Sequence, residues 1–320
     1  MQVISYLKSE IPGTNLYDLN LEEFSTGNLA NSKSLLIYGY RFLEKGGFVS
    51  KRRSNLNYKY LNVTMPTEYT QKDFIHDSNK SFDEIYGICR YSCEWMNYLE
   101  GSKRYKYIYY PVSVPEKLDP FSGKQYDVIY HGGIHSEKYM HMLGILSCYN
   151  YRYATMSRGI NLLTQQAFQQ YATNIDLTPL EKYILLNECK ISIAFNTFPL
   201  NEVQIENIKH KPKWQKNHAF SALDQHIAPQ FKSRVNEAAA LGVINLIEYD
   251  PWNLVEDFYE PNKDFVYFSG ISDLKSKIDI ILNNYDQFWD MRVSAYKKSL
   301  RYTRRNAYFD IATGSCWSMK

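Results

Sequence analysis

The sequence predicts an α/β protein of two domains, the second built on a parallel, doubly wound sheet. Three observations predict it. Short apolar runs alternate with helical segments along the chain, 320 residues are enough for two separate cores, and a proline- and glycine-bearing stretch at 112–125 divides the alternation into two series. That stretch sets a boundary near 112, giving domains at 1–112 and 113–302 and a tail at 303–320.

In the first series, residues 34–40, 58–64 and 106–111 are expected strands, and 82–99 holds a strand followed by a helix. The second opens with Tyr126-Asp-Val-Ile-Tyr130, which runs into His131, Gly132 and Gly133. Strands are expected at 151–156, 191–195, 243–247 and 265–268, with helices at 179–189 and 273–283 among those between them. Residues 203–230 are polar and read as a long loop, and 287–305 as a basic C-terminal helix.

In an open α/β sheet, ligands bind beyond the carboxyl ends of the strands, so the loops after Tyr130, Phe195 and Ile247 are the places to search. Gly132 and Gly133 fall at such an end, where glycine lets backbone amides approach a diphosphate; His135 and Lys138 follow and offer donors or charge. A plain tight turn gives the same local pattern. From Lys232 to Ile247 the chain reads as a helix, a glycine stop at Gly242 and a strand. Arg234 and Glu237, three residues apart, share one face of that helix, and Ala238, Ala239 and Ala240 allow close packing. A surface ion pair is the structural alternative. Glu68, after the expected second strand and Pro66, stands where a general base would be useful, although an acidic residue there also suits a helix start.

A net charge of +3 gives no global field for nucleic acid or membrane. The run at 297–305 is basic, but a solvated helix face explains it as well. Tyrosine is abundant, 29 against 16 phenylalanines, which suits polar ligands such as sugars without requiring them. Five cysteines without paired spacing suggest reduced thiols, and His131 with His135 lacks an evident third metal ligand. No run approaches the ~20 apolar residues of a membrane span and no secretory leader is recognised, so a cytoplasmic protein is expected. The dinucleotide fingerprint, the P-loop, the nucleophile elbow and an Asp-x-Asp triplet are all missing from the sequence.

Arg234-Val-Asn-Glu-Ala-Ala-Ala-Leu-Gly242, followed by an apolar strand and an acidic loop at 255–268, resembles the group 1 (GT4-like) GT-B glycosyltransferases. Residues 109–112 and 127–133 also look like the domain-crossing segment of the phage DNA β-glucosyltransferases. The resemblance implies two Rossmann-like domains facing a cleft, the first taking the acceptor and the second a UDP- or GDP-sugar. It implies that Glu237 holds the ribose, that Arg234 and Lys232 neutralise the diphosphate, and that Gly132, Gly133, His135 and Lys138 flank the phosphates. Several group 1 enzymes carry a second glutamate eight residues before the ribose carboxylate; Pro229 stands there.

The function implied is metal-independent transfer of a sugar to a glycan or other hydroxyl acceptor, with no cofactor beyond the donor. The alternatives are a non-catalytic carbohydrate- or nucleotide-binding protein and a DNA-base glucosyltransferase.

Overall fold

The computed structural model describes residues 34–38, 57–62, 83–134, 137–155, 171–209 and 223–313. Its contacts group them into two units, one drawn from 1–110, 200–230 and 304–320 and the other from 111–199 and 231–303.

The first unit holds a four-stranded sheet in the order β1 (Ser34–Tyr38), β2 (Asn57–Asn62), β3 (Glu84–Gly87), β4 (Tyr105–Tyr107). Every pair is parallel. Helix α1 (Arg90–Glu100) buries Tyr91, Cys93, Trp95 and Met96 and stops at Gly101, whose left-handed φ of 62° closes its C-terminus. Strand β4 is shorter than the expected 106–111. Ile108 still gives its N–H to Gly87 at 2.8 Å, but the chain then leaves the sheet.

The second unit carries a six-stranded parallel sheet of β5 (Tyr126–His131), β6 (Tyr151–Thr155), β7 (Asn174–Ile175), β8 (Cys189–Ala194), β11 (Ile244–Glu248) and β12 (Phe265–Phe268). The order is β12-β11-β8-β5-β6-β7. Short strands β9 (Thr197–Pro199) and β10 (Ile227–Pro229) lie outside it. Helices α2 (Glu137–Leu146) and α3 (Pro179–Asn187) precede α4 (Glu202–Lys209), and α5 (Ser233–Ala240), α6 (Gly270–Asn283), α7 (Trp289–Ser299) and α8 (Arg304–Thr313) follow.

Two expectations are corrected. The loop placed at 203–230 contains α4 and β10, with 210–222 outside the described residues. Its polar composition concealed a helix because Ile205 and Ile208, one turn apart, are the residues that α4 buries. The single helix placed at 287–305 is two, α7 and α8. The second belongs to the first unit, where Lys59 Nζ donates to the Ile311 carbonyl at 2.9 Å and Tyr109 donates to Asp310 at 3.1 Å.

The central strands are mostly apolar because both faces are covered. Val128, Tyr130, Ile191, Ile193 and Phe195 meet Met142, Leu143, Leu274 and Ile278 on one side. Ile129, Ala154 and Val243 meet Leu186, Ala238 and Leu241 on the other. The stretch at 112–125 does more than connect: Lys124 Nζ donates to the carbonyls of Asn187 (2.7 Å) and Leu241 (3.1 Å), tying the C-terminal ends of α3 and α5 together.

Strand order then locates the crevice. From β5 the chain builds outward through β6 and β7, and it returns to the opposite side of β5 with β8. The connections leaving β5 and β8 therefore diverge, opening a space at their carboxyl ends, beside His131 to Gly133 and Asn196.

Candidate active site

Three segments converge on that crevice. The first is the turn after β5. Gly132 has a φ of 145°, outside the range that side-chain-bearing residues favour, and gives its N–H to the Ala154 carbonyl at 2.9 Å. Tyr130, fully buried, donates its hydroxyl to the Gly133 carbonyl at 2.8 Å and so holds the turn against the strand.

The second is the start of α5. Lys232 occupies the N-cap position without a side-chain cap, and its N–H goes to Asn196 Oδ1 at 3.0 Å. That bond fixes the entry to α5 against the end of β8. Asn196 Nδ2 is buried and has no partner among the described residues, which leaves a donor at the crevice floor. The helix ends in a Schellman arrangement: Gly242 N–H bonds Ala239 at 3.1 Å, Val243 N–H bonds Ala238 at 3.0 Å, and Gly242 has a φ of 59°. Fixed at both ends, α5 presents Arg234 and Glu237 from its first two turns.

Arg234 folds its guanidinium over the Tyr130 ring, 4.7 Å from the centroid, and against Gly132. Neither Arg234 nor Lys232 has a carboxylate within ion-pair distance among the described residues. Burial, and then the neighbouring Arg234 charge, push the Lys232 ammonium well below its usual range. The Arg234 guanidinium, with Lys232 beside it, a glycine turn and a helix start, makes a place where a bound anion is stabilised.

The third element surrounds Glu237. Its carboxylate is buried, with Oε1 2.7 Å from Lys182 Nζ on α3 and Oε2 3.1 Å from His131 Nε2 on β5. Burial alone would raise its pKa. Lys182 and the hydrogen bond and charge interaction with His131 more than offset that and hold it far below the carboxylate range. Burial pushes His131 down to about 4, so the imidazole is neutral, and the charge opposite assigns its proton to Nε2. Its Nδ1 is buried and unpartnered among the described residues.

The structure thus gathers Gly132, Gly133, Lys232, Arg234 and Glu237. Lys138 is paired with Glu248 at 2.5 Å and lies 4.7 Å from the Phe195 ring centroid, beside the end of β8. His135 and Glu68 lie outside the described residues. Reading the chain in order missed Lys182, 55 residues before Glu237, and Asn196. His131 was noticed, but for a metal pairing with His135; its Nε2 instead serves Glu237. Pro229 is buried in β10, its carbonyl 3.7 Å from the Cys89 thiol. Of the basic run near the C-terminus, Lys298 is spent on Glu260 (2.6 Å) and Asp264 (2.5 Å). Among the described residues no helix is long and apolar enough to cross a membrane.

Residues 185–308 match the family model described as glycosyl transferase-like. A search of curated protein sequences found no match. Solved structures resemble the fold at low identity. HepE from Anabaena in complex with UDP-glucose is 11% identical with a TM-score of 0.57, over 88% of this chain and 78% of that one. TarM gives 11% and 0.52 over 88% of this chain, which spans about half, 55%, of TarM. Sucrose-phosphate synthase from Thermosynechococcus elongatus gives 10% and 0.50, over 88% of this chain and 72% of that one. The chain thus has the fold of these solved glycosyltransferases, GT-B, and residues 185–308 are similar to the glycosyl transferase-like family.

Proposed function

We propose that the protein transfers a sugar from a nucleotide-diphosphate donor to a glycan or other hydroxyl acceptor, and that it does so without a metal. One observation carries this reading. Arg234 lies against the Gly132 turn with Lys232 close to it, neither in an ion pair among the described residues, and the Glu237 carboxylate is one turn further along the same helix. An anion balances the cations, and a diphosphate that bears a ribose suits both halves of the arrangement. The complexes of HepE with UDP and with UDP-glucose support a uridine nucleotide as the first to test.

In such a transfer the bond between the sugar's anomeric carbon and the β-phosphate oxygen breaks, and the acceptor oxygen bonds to that carbon. The acceptor proton passes to a base, for which Glu68 in the first unit is our candidate. Negative charge grows on the departing diphosphate. Arg234 and Lys232 stabilise it there, which is the help that a metal ion gives in other glycosyltransferases. The second unit binds the donor and the first brings the acceptor.

Calorimetric titration with UDP and GDP in the presence of a chelator tests the donor site. Binding is expected, weakened at least about tenfold by Arg234→Ala, because a charge-assisted hydrogen bond contributes about 1.5–3 kcal/mol. Absence of binding to either nucleotide, or an Arg234→Ala variant that binds normally, refutes it. Turnover of UDP-glucose, by hydrolysis or transfer, separates an enzyme from a binding protein of the same fold. A DNA acceptor requires association that weakens steeply with salt.

A further inference from the structure

Glu237 is held from two elements that also pack against its helix in the core, α3 and β5. Lys182 reaches it from α3 with a side chain 30% exposed, and His131 reaches it from the last position of β5, where the strand gives way to the glycine turn. The Glu237 side chain is only 7% exposed. A carboxylate so enclosed is expensive to keep charged unless fixed donors surround it. Here each oxygen has one donor, Lys182 on Oε1 and His131 on Oε2.

We propose that Lys182 and His131 are positioning residues that fix Glu237 as a two-oxygen acceptor and thereby make the site select ribose over 2′-deoxyribose. The proposal rests on the reading of Glu237 as the ribose-binding carboxylate. An ionised carboxylate has about four lone-pair sites, so two donors from the protein leave about two for a ligand. A ribose with free 2′- and 3′-hydroxyls supplies two donors, and 2′-deoxyribose supplies one. Both ligand bonds require that the carboxylate be ionised and unable to rotate. Lys182 and His131 impose both conditions, one per oxygen.

The protein groups that face Glu237 define how it should titrate. They are Lys182 from α3, His131 from β5 and Arg234 one turn earlier on α5. Without Lys182 the desolvation of the carboxylate is opposed mainly by a neutral imidazole, and the acid form gains. A protonated carboxyl presents a donor where ribose also presents donors.

The test compares UDP, GDP and ADP for binding, and then the tightest of them with its 2′-deoxy form. In the unmodified protein the ribonucleotide is expected to bind about tenfold or more tightly, the value of one hydrogen bond to a charged group. Lys182→Met and His131→Leu are expected to bring that preference within about twofold. In Lys182→Met, the preference for the ribonucleotide over its 2′-deoxy form, which carries the same diphosphate, also falls between pH 7 and pH 5, where that preference is flat in the unmodified protein. Lys182→Arg and His131→Gln, which keep a cation and an N–H donor, retain most of the preference, so the test survives if a truncated variant fails to fold. Full preference and a flat profile in Lys182→Met and His131→Leu, with loss in Glu237→Gln, overturn the positioning role and leave the reading of Glu237 standing. Full preference in Glu237→Gln overturns that reading itself.

Discussion

The Arg234 guanidinium lies so close to Gly132 that a Cβ placed on that glycine would stand 2.1 Å from Arg234 Nη2. The turn after β5 and the first turn of α5, about 100 residues apart in sequence, therefore share one small volume. Gly132→Ala should cost about 1–3 kcal/mol for its φ of 145°. It also displaces Arg234 from the Tyr130 ring. Nucleotide affinity should fall by about tenfold or more in the folded variant. Thermal melting read beside a UDP titration checks the two effects separately, and a variant with unchanged affinity contradicts the placement of Arg234 in the site.

Lys232 should take up a proton when a diphosphate binds. Burial and the Arg234 charge hold its ammonium well below the usual range in the free protein, and an adjacent anion reverses that penalty. Titration in buffers of different ionisation enthalpy should show net uptake. Lys232→Met should abolish it.

Gly242 is a test of fold rather than of site. A Cβ there would lie 2.5 Å from the Pro120 carbonyl oxygen, a backbone atom that cannot turn away, and the φ of 59° adds its own strain. Gly242→Ala should destabilise by at least about 1–3 kcal/mol in urea unfolding. Nucleotide affinity measured on the folded fraction should be unchanged.

Asp250 should make stability depend on pH in an unusual direction. Its buried carboxyl is pushed up to about 6 by burial, against backbone hydrogen bonds from Trp252 and Leu254 that favour the charge. A carboxyl raised in the folded state stabilises fully below its unfolded value, and that contribution is lost as pH rises through the folded value. Asp250→Asn removes the titration and keeps an oxygen acceptor. Its stability relative to the unmodified protein should therefore rise between pH 4 and pH 7, by on the order of 1–3 kcal/mol, in paired melting curves. A constant difference contradicts the shift.

The sequence by itself determined the alternation of strand and helix, and it determined the helix, stop and strand from Lys232 to Ile247. Such features are local. Apolar runs covered on both faces, an alanine face and a glycine with positive φ are legible within a dozen residues. It also marked Gly132, Gly133, Arg234 and Glu237, through their place at a strand end and a helix start and the resemblance of 234–242 to the group 1 motif, although a plain turn or a surface ion pair gives the same local pattern. The order β12-β11-β8-β5-β6-β7 was not legible, since parallel strands carry no signal of which neighbour they choose. That order alone opened the crevice at the ends of β5 and β8. Tertiary structure alone brought Lys182 and His131 to Glu237 from two other elements, making a residue whose local pattern also allowed a surface ion pair with Arg234 into a buried, charged and doubly held carboxylate. Periodicity reports which face of an element is buried. Only the packed fold decides which charges meet there.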